Sequence, residues 1–353
     1  MGTDALALFT RPLITLISAA ALGGVALSAP AQAAEVTPHD GTTGAARPAA
    51  ATHQHARSGY SPALTAIHAP RVWKRTKGHG ITVAVIDSGV AGDVTNLRGQ
   101  VLPGVDMVEP HRADGWNDAM PAGGHGTGVA SVIAGSGRSI PVHGIAPRVT
   151  VLPVRIANAH GTCPDARVAK GIVWATRHGA DVINLSIGTT AEDISRRDLR
   201  LEHAAVRYAV RHGVTVVAGA GNNGPDHTGR FYPAAFPEVI AVGGANMSGT
   251  AAASFSNRGE WVDVVAPAME VWNANTDGSL GTASGTSFAS PAVAAMAALM
   301  LAVDPHLSPT AIRRMVMASA SDLGPRGVDR DTGAGLVDAA GAVSAAVRTA
   351  RSR

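Results

Sequence analysis

The chain has 353 residues, of which 46% are hydrophobic and 16% charged, with 29 basic and 26 acidic side chains. It is too long and too apolar to be a disordered tail, and its nearly balanced charge argues against a protein dedicated to binding nucleic acid. The single cysteine cannot form an internal disulfide, so the stability of the folded chain must come from burial of its many small apolar residues.

The first recognisable segment is an amino-terminal export signal. Arg11 precedes an apolar stretch at residues 13–27, and a run of small residues with an Ala-x-Ala pattern follows at residues 31–34. This order is typical of a secretory signal peptide, and we expect cleavage after Ala33, which removes residues 1–33. The alternative is a membrane anchor, but the apolar stretch is shorter than the roughly 20 residues that a span needs and lacks a basic stop signal. We therefore expect a secreted, extracellular protein without a stable membrane anchor.

The rest of the chain divides into three predicted segments. Residues 34–60 have no helical or strand period, which is typical of an unstructured leader or a short pro-segment. Residues 61–347 carry a continuous alternation of patterns and are predicted to form one domain, followed by a basic tail at residues 348–353. Inside the domain, residues 292–303 are uncharged but too short to cross a bilayer, so we expect a buried core helix there.

Short apolar runs alternate with helical patterns throughout the domain. The two clearest helical patterns, at residues 165–178 and 201–212, are each followed by a glycine, Gly179 or Gly213, where a left-handed helix cap favours that residue. The alternation predicts an α/β fold with a doubly wound, mostly parallel sheet and helices on both of its faces. In such sheets, function gathers at the carboxyl ends of the strands. The predicted strands are residues 81–86, 150–156, 182–187, 214–218, 239–242 and 262–265.

The first candidate site residue is Asp87, which stands where a buried strand gives way to a glycine turn at Gly89. A carboxylate in this position can hold a partner imidazole. On its own, the pattern favours an ordinary turn aspartate that accepts hydrogen bonds from nearby backbone amides.

The second candidate is His125, which lies among glycines at the start of an apolar helix. Its small neighbours, Gly124 and Gly126, leave room for another part of the chain to approach the ring. The alternative is a solvent-exposed histidine at the start of a helix.

The third candidate is Ser287, which precedes the long apolar helix that contains residues 292–303. An isolated serine at a helix start is ordinarily a cap. Here the small residues Ser284, Gly285 and Thr286 clear the space in front of it, and the helix dipole can stabilise negative charge on a bound carbonyl.

Asp87, His125 and Ser287 together supply the three roles of acyl transfer: an orienting carboxylate, a general base and acid, and a nucleophile. Their order and their local motifs resemble those of the subtilisin-like serine proteases, the subtilase family. The resemblance covers residues 61–347. It implies that Asp87 orients the imidazole, that His125 moves the proton and that Ser287 forms the acyl-enzyme.

Residues 217–224 resemble a fourth motif of the same family. The match implies that the Asn222 side chain donates a hydrogen bond in the oxyanion hole, with the backbone N–H of Ser287 as the second donor. The alternative is a turn asparagine.

The resemblance also implies two edges that pair with the substrate backbone. The first edge walls the primary specificity pocket, and the second edge, residues 157–163, brings Cys163 near the cleft. Cys163 is either a small buried filler or a thiol that lines the cleft, and we assign it no catalytic role. The substrate-binding residues predicted from the first edge and the opposite pocket wall are Ser186, Ile187, Gly188, Ala220 and Gly221.

The sequence also departs from the family pattern. The leader is short, as in the mycosin-type subtilases, but the carboxy-terminal membrane helix usual in that group is missing. The chemistry requires no cofactor, and we predict no metal ligands. The pairs Asp114 with Asp118 and Asp329 with Asp331 have suitable oxygen atoms for structural calcium but no recognisable loop, so we interpret them as surface aspartates and leave the calcium requirement open.

The sequence as a whole predicts a secreted serine endopeptidase that acts on protein or peptide substrates. The alternative is a catalytically silent subtilase fold that binds a partner or serves as a scaffold. An esterase is disfavoured because Ser287 lacks a Gly-x-Ser-x-Gly elbow. Small pocket walls favour an apolar residue before the cleaved bond, whereas Asp226 would favour a basic one. The oligomeric state is left open.

Overall fold

The structure is a computed structural model that describes residues 14–16, 60–120, 123–226 and 229–353. The predicted signal peptide, residues 1–33, lies outside the described residues except for Ile14–Leu16. The predicted leader, residues 34–60, lies outside them except for Tyr60.

Each of the six predicted apolar runs contains or overlaps a strand, and the other strands in the described residues were not predicted. In chain order the strands are β1 (Ile14–Leu16), β2 (Thr82–Asp87), β3 (Val105–Asp106), β4 (Thr150–Arg155), β5 (Thr162–Cys163), β6 (Val182–Leu185), β7 (Ile187–Thr190), β8 (Thr215–Gly219), β9 (Phe231–Tyr232), β10 (Ile240–Ala245), β11 (Val264–Pro267), β12 (Val271–Ala274) and β13 (Leu280–Ala283).

Helices lie between most of the long strands and after the last of them. They are α1 (Pro62–Ala66), α2 (Ala69–Val72), α3 (His125–Ala134), α4 (Asp165–Arg177), α5 (Arg196–Arg211), α6 (Thr286–Leu301), α7 (Pro309–Ser319) and α8 (Ala339–Arg351).

The main sheet has seven strands in the order β11-β10-β8-β6-β2-β4-β3, and all of its pairings are parallel. After β4 the chain crosses to β6, on the other side of β2, and then builds outward to β11. The strand order therefore reverses next to β2, and the carboxyl ends of β2 and its neighbours face the position where open α/β sheets bind ligands. The predicted doubly wound fold is confirmed.

Helices cover both faces of this sheet because the strand residues that point to each face are apolar. Val83 and Val85 belong to the core shared with α3 and α6, whereas Ala84 and Ile86 belong to the core shared with α4 and α5. Helix α6 is buried along its whole length, which confirms the core helix predicted at residues 292–303.

Several element boundaries differ from the prediction, and two of the differences concern a helix start and a break within a predicted strand. Helix α5 begins five residues before the predicted start at residue 201, because Ser195 caps it by accepting a hydrogen bond from the Asp198 N–H (3.1 Å). The run at residues 182–187 is two strands, and Ser186 separates β6 from β7.

The last helix extends into the segment predicted as a basic tail. Helix α8 continues to Arg351, past the predicted domain end at residue 347, because Arg348 and Arg351 lie in its last turn, where cations complement the helix dipole. Arg353 then returns to the domain and pairs with Asp304 at 3.0 Å.

No helix among the described residues is long and apolar enough to span a membrane.

A buried ion pair holds the carboxyl end of β4 beside β3. Arg155 and Asp106 are each 2% exposed and are joined by a 2.5 Å contact. We expect Arg155→Met to lower the free energy of unfolding by about 3–5 kcal/mol, because the Asp106 charge remains buried without its partner. Urea unfolding would measure the change. Arg258→Met is the matched control, since its ion pair with Asp331 is more exposed and is expected to contribute about 0–1 kcal/mol. Equal losses in the two variants would contradict this account.

Candidate active site

Asp87 and His125 lie in direct contact at the carboxyl end of β2. Asp87 is the last residue of that strand, His125 is the first residue of α3, and Asp87 Oδ1 lies 2.7 Å from His125 Nδ1. Both residues are buried. A Cβ on Gly126 would lie 2.1 Å from the Gly89 carbonyl oxygen, so glycine at this position allows the helix start to approach the strand end.

Asp118 holds the turn after Asp87 against α3, a role that the sequence analysis missed. Its carboxylate accepts hydrogen bonds from Ser88 Oγ (2.8 Å) and from the N–H (2.8 Å) and Oγ1 (2.6 Å) of Thr127. Desolvation by burial raises its pKa. Interpreting Asp118 as a surface aspartate was therefore wrong, and only the folded arrangement could correct it, since Asp118 is 30 residues from Ser88 along the chain.

Ser287 lies in the first turn of α6, close to both His125 and the junction of β6 with β7. Its Oγ donates a hydrogen bond to the Ser186 carbonyl at 3.2 Å. The next residue, Phe288, packs edge-on against the His125 ring, with the ring centroids 5.7 Å apart. The fold therefore brings the three residues of the sequence prediction into one neighbourhood, and Ser186 links the nucleophile candidate to the predicted peptide-binding edge.

Asn222 is anchored by one side of its amide. Its Oδ1 accepts hydrogen bonds from the N–H (3.0 Å) and Oγ1 (3.1 Å) of Thr286, the residue before Ser287. Its Nδ2 is buried and donates to no described residue. These bonds assign the orientation of the amide and leave a buried donor beside the start of α6.

The two predicted peptide-binding edges flank a third strand. Strand β1 pairs antiparallel with both β5 and β7, in the order β5-β1-β7. In this register, residue 14 lies opposite Cys163, residue 15 opposite Gly188 and residue 16 opposite Ile187. We call the gap between β5 and β7 the slot. It is one strand wide, and the backbone groups of both strands can form hydrogen bonds with an extended peptide.

The remaining residues of the predicted pocket are small and closely packed. Ala220 is buried and Gly221 has a φ of 102°, and a Cβ on Gly221 would lie 2.3 Å from Asn257 Nδ2. Asp226 lies in the turn at residues 225–226 and is exposed. Its exposure does not support the interpretation that it lies near the base of the pocket.

Cys163 is fully buried at the inner side of β5, and desolvation raises the pKa of its thiol. Its burial fits the filler interpretation, while its place in β5 puts its backbone beside the slot.

The acidic pairs considered for calcium make hydrogen bonds within the protein. Asp329 Oδ1 accepts the N–H groups of Asp331 and Thr332, each at 2.8 Å, and Asp331 pairs with Arg258. Within the described part of the chain, no group of three or more His, Cys, Asp or Glu residues is arranged to hold a metal ion.

Comparisons with known proteins agree with this architecture. Residues 78–335 match the subtilase family model. Subtilisin DY from Bacillus licheniformis is 35% identical over 252 residues, which cover 70% of this chain and 86% of that protein. The crystal structure of fervidolysin from Fervidobacterium pennivorans, described as a keratinolytic enzyme related to subtilisin, superposes with a TM-score of 0.71 at 32% identity and covers 80% of this chain. A cold-adapted subtilisin-like serine proteinase gives a TM-score of 0.65 at 31% identity, covering 75% of this chain and 90% of that one.

The extent of the match differs among these relatives. The chain spans 45% of the solved fervidolysin chain but most of subtilisin DY. The matched region contains the whole seven-stranded sheet and all the residues of the candidate site. The chain therefore belongs to the subtilase family of serine proteases.

Proposed function

We propose that this subtilase is a secreted serine endopeptidase that hydrolyses peptide bonds in protein substrates through an acyl-serine intermediate. The observation that carries the proposal is the 2.7 Å contact between Asp87 Oδ1 and His125 Nδ1, at a site that also contains Ser287. The carboxylate fixes the tautomer in which Nδ1 carries the proton, so that Nε2 can accept one.

The chemistry follows from these positions. Ser287 Oγ attacks the substrate carbonyl carbon as His125 Nε2 takes the hydroxyl proton, and Asp87 stabilises the resulting imidazolium. When the tetrahedral intermediate collapses, His125 returns the proton to the leaving amine and the acyl group remains on Ser287. Water then attacks the ester by the same proton transfers, and the carboxylic acid product leaves with Ser287 restored.

Asn222 and the backbone N–H of Ser287 stabilise the oxyanion in this proposal. The buried Asn222 Nδ2 supports the role, because it is a fixed donor with no partner among the described residues. A negatively charged oxygen that forms only after nucleophilic attack would supply the missing acceptor, so the stabilisation is specific to the transition state.

The substrate binds as an extended strand between β5 and β7. The antiparallel pairing of β1 with both strands supports this mode, since a substrate backbone offers the same hydrogen-bonding groups as β1. Pairing through the backbone tolerates many side chains, which suits a peptidase that acts on protein chains. The Ser186–Gly188 edge lies closest to Ser287 and orients the residues next to the cleaved bond.

Labelling with a fluorophosphonate tests the proposal directly. Wild-type protein recovered from the culture medium is expected to form a covalent adduct, and Ser287→Ala is expected to form none. Ser284→Ala is the control, because its hydroxyl accepts a hydrogen bond from the Glu270 N–H and lies outside the proposed machinery. If neither wild type nor control reacts, the protein is a catalytically silent member of the family. Amino-terminal sequencing of the same sample tests the expected removal of residues 1–33.

The pH dependence follows from the role of His125. We expect kcat/KM to fall as the pH is lowered, because a protonated imidazole cannot accept the Ser287 proton. Initial rates on a peptide substrate between pH 4 and pH 9 would measure this limb. Activity that is constant down to about pH 4 would be incompatible with His125 as the general base.

A further inference from the structure

Two buried carboxyl groups near the proposed substrate slot have oxygen atoms without a hydrogen-bond partner in the described part of the chain. Glu202 on α5 is 0% exposed, and neither of its carboxylate oxygens has a hydrogen-bond partner among the described residues. Asp165, the first residue of α4, is 4% exposed, and its Oδ1 also lacks one. Buried polar groups are normally satisfied, so these unused acceptors indicate a missing partner.

Asp165 follows Cys163 by two residues, and Glu202 lies on the buried face of α5 with Ala205 and Val206, which share a core with Cys163. Desolvation raises the pKa of Glu202, and the charge of Asp165 raises it further. The charges of both acids also raise the pKa of Cys163, although burial has the larger effect. The charge of Arg167 lowers the pKa of Cys163, and its Nη1 donates a hydrogen bond to the Ile156 carbonyl at 2.8 Å. Both acids therefore lie on the buried helix faces that form the core around Cys163.

The slot directs one substrate residue toward this pair. Residues that pair directly across two strands have their side chains on the same face of the sheet. The side chain of Cys163 is fully buried in the core that contains Val168 and Ile187. A peptide in the register of β1 therefore directs the residue opposite Cys163 toward the face that holds Glu202 and Asp165.

The register also fixes where this residue lies relative to the cleaved bond. The peptide position opposite Ile187 comes two residues after the position opposite Cys163. Ser186, which precedes Ile187, accepts the hydrogen bond from Ser287 Oγ. The residue opposite Cys163 is therefore the third or fourth residue on the amino-terminal side of the cleaved bond.

We propose that Glu202 and Asp165 form a specificity pocket for a lysine or arginine side chain at this position of the substrate. The inference rests on the proposed peptidase function and adds a substrate preference to it. A cationic head group supplies the donors that the two carboxyl groups lack, and charge-assisted hydrogen bonds of this kind are strong. The aliphatic stem of the side chain packs on the apolar residues around Cys163.

Peptide substrates that differ at this one position test the pocket. Two sets, with Lys, Leu or Glu at the third or the fourth residue before the cleaved bond, are assayed with the exported full chain. We expect kcat/KM to be at least about tenfold higher for Lys than for Leu at one of the two positions, and lowest for Glu. In Glu202→Gln and in Asp165→Asn, the Lys/Leu ratio is expected to fall toward one while the rate on the Leu peptide is retained.

The matched control is Glu192→Gln. Glu192 is exposed in the turn after β7, so the substitution removes one negative charge from the surface after that strand but none from the pocket. This variant is expected to keep the wild-type ratio. Either acid variant alone suffices for the test if the other fails to fold.

Two results would overturn the pocket. One is a wild-type preference for Leu or Glu over Lys at both positions, and the other is an unchanged Lys/Leu ratio in both acid variants. Fluorophosphonate labelling of the same preparations separates this failure from that of the proposed function. Protein that is labelled but has no basic preference contradicts the pocket alone, whereas protein that is not labelled contradicts the peptidase itself.

Discussion

Replacing Ser287 or His125 by alanine is expected to lower kcat by about 10⁶-fold, the size of loss found for such substitutions in the relative subtilisin. In the proposed mechanism Ser287 forms the covalent intermediate and His125 activates the Ser287 hydroxyl, so neither group functions without the other. The double variant is therefore expected to be no slower than either single variant. Rates of hydrolysis of a chromogenic peptide by the three variants would measure this.

Ser290→Ala is the control for the triad variants. Ser290 lies one turn further along α6 and contacts Ser186 Oγ at 3.1 Å, so its substitution disturbs the same region without touching the reacting atoms. We expect its kcat to change by less than about tenfold. Losses that multiply in the double variant would mean that Ser287 and His125 act independently, against the proposed mechanism.

Replacing Asn222 by alanine is expected to lower kcat by about 10²–10³-fold, or about 2.7–4 kcal/mol, with little change in KM. This range is the one found when a single such donor is removed in subtilisin. The negative oxygen exists only after attack on the carbonyl, so the ground-state complex does not use the Asn222 donor. Steady-state kinetics on one peptide substrate would separate the two constants.

Asn222→Asp separates the donor from the anchor. An aspartate can still accept the two hydrogen bonds from Thr286, but it cannot donate to the oxyanion. Its kcat is therefore expected to fall at least as far as that of the alanine variant. Asn223→Ala is the control at the neighbouring position, which is exposed, and its kcat is expected to stay within about tenfold of wild type. A rise in KM as large as the fall in kcat would contradict the oxyanion role.

The sequence predicted the sheet well because its strands are apolar on both faces. The predicted run at residues 150–156 differs from β4 by one residue, since buried parallel strands leave an unambiguous pattern. The start of α5 was missed because the charged residues before residue 201 have no apolar period. The break at Ser186 was missed because a single polar residue within an apolar run does not indicate that one strand ends and another begins.

The candidate site was less accessible to sequence reasoning. The motifs around Asp87, His125 and Ser287 identify the residue types and their order. The 2.7 Å distance between Asp87 and His125, however, depends on how helices α3 and α6 pack on the sheet. The contacts of Asp118 and the burial of Glu202 were missed for the same reason. Glu202 occurs in a helix rich in charge, where a glutamate ordinarily faces solvent, and only the packing of α4 on α5 buries it.

A crystal structure of the protein after reaction with a peptidyl phosphonate tests the account most directly. The account predicts phosphorus bonded to Ser287 Oγ and one phosphoryl oxygen about 2.7–3.1 Å from both Asn222 Nδ2 and the backbone N–H of Ser287. It also predicts that the contact between Asp87 and His125 persists beside the adduct. A phosphoryl oxygen that points to solvent, away from Asn222, or an adduct on a different residue would contradict it.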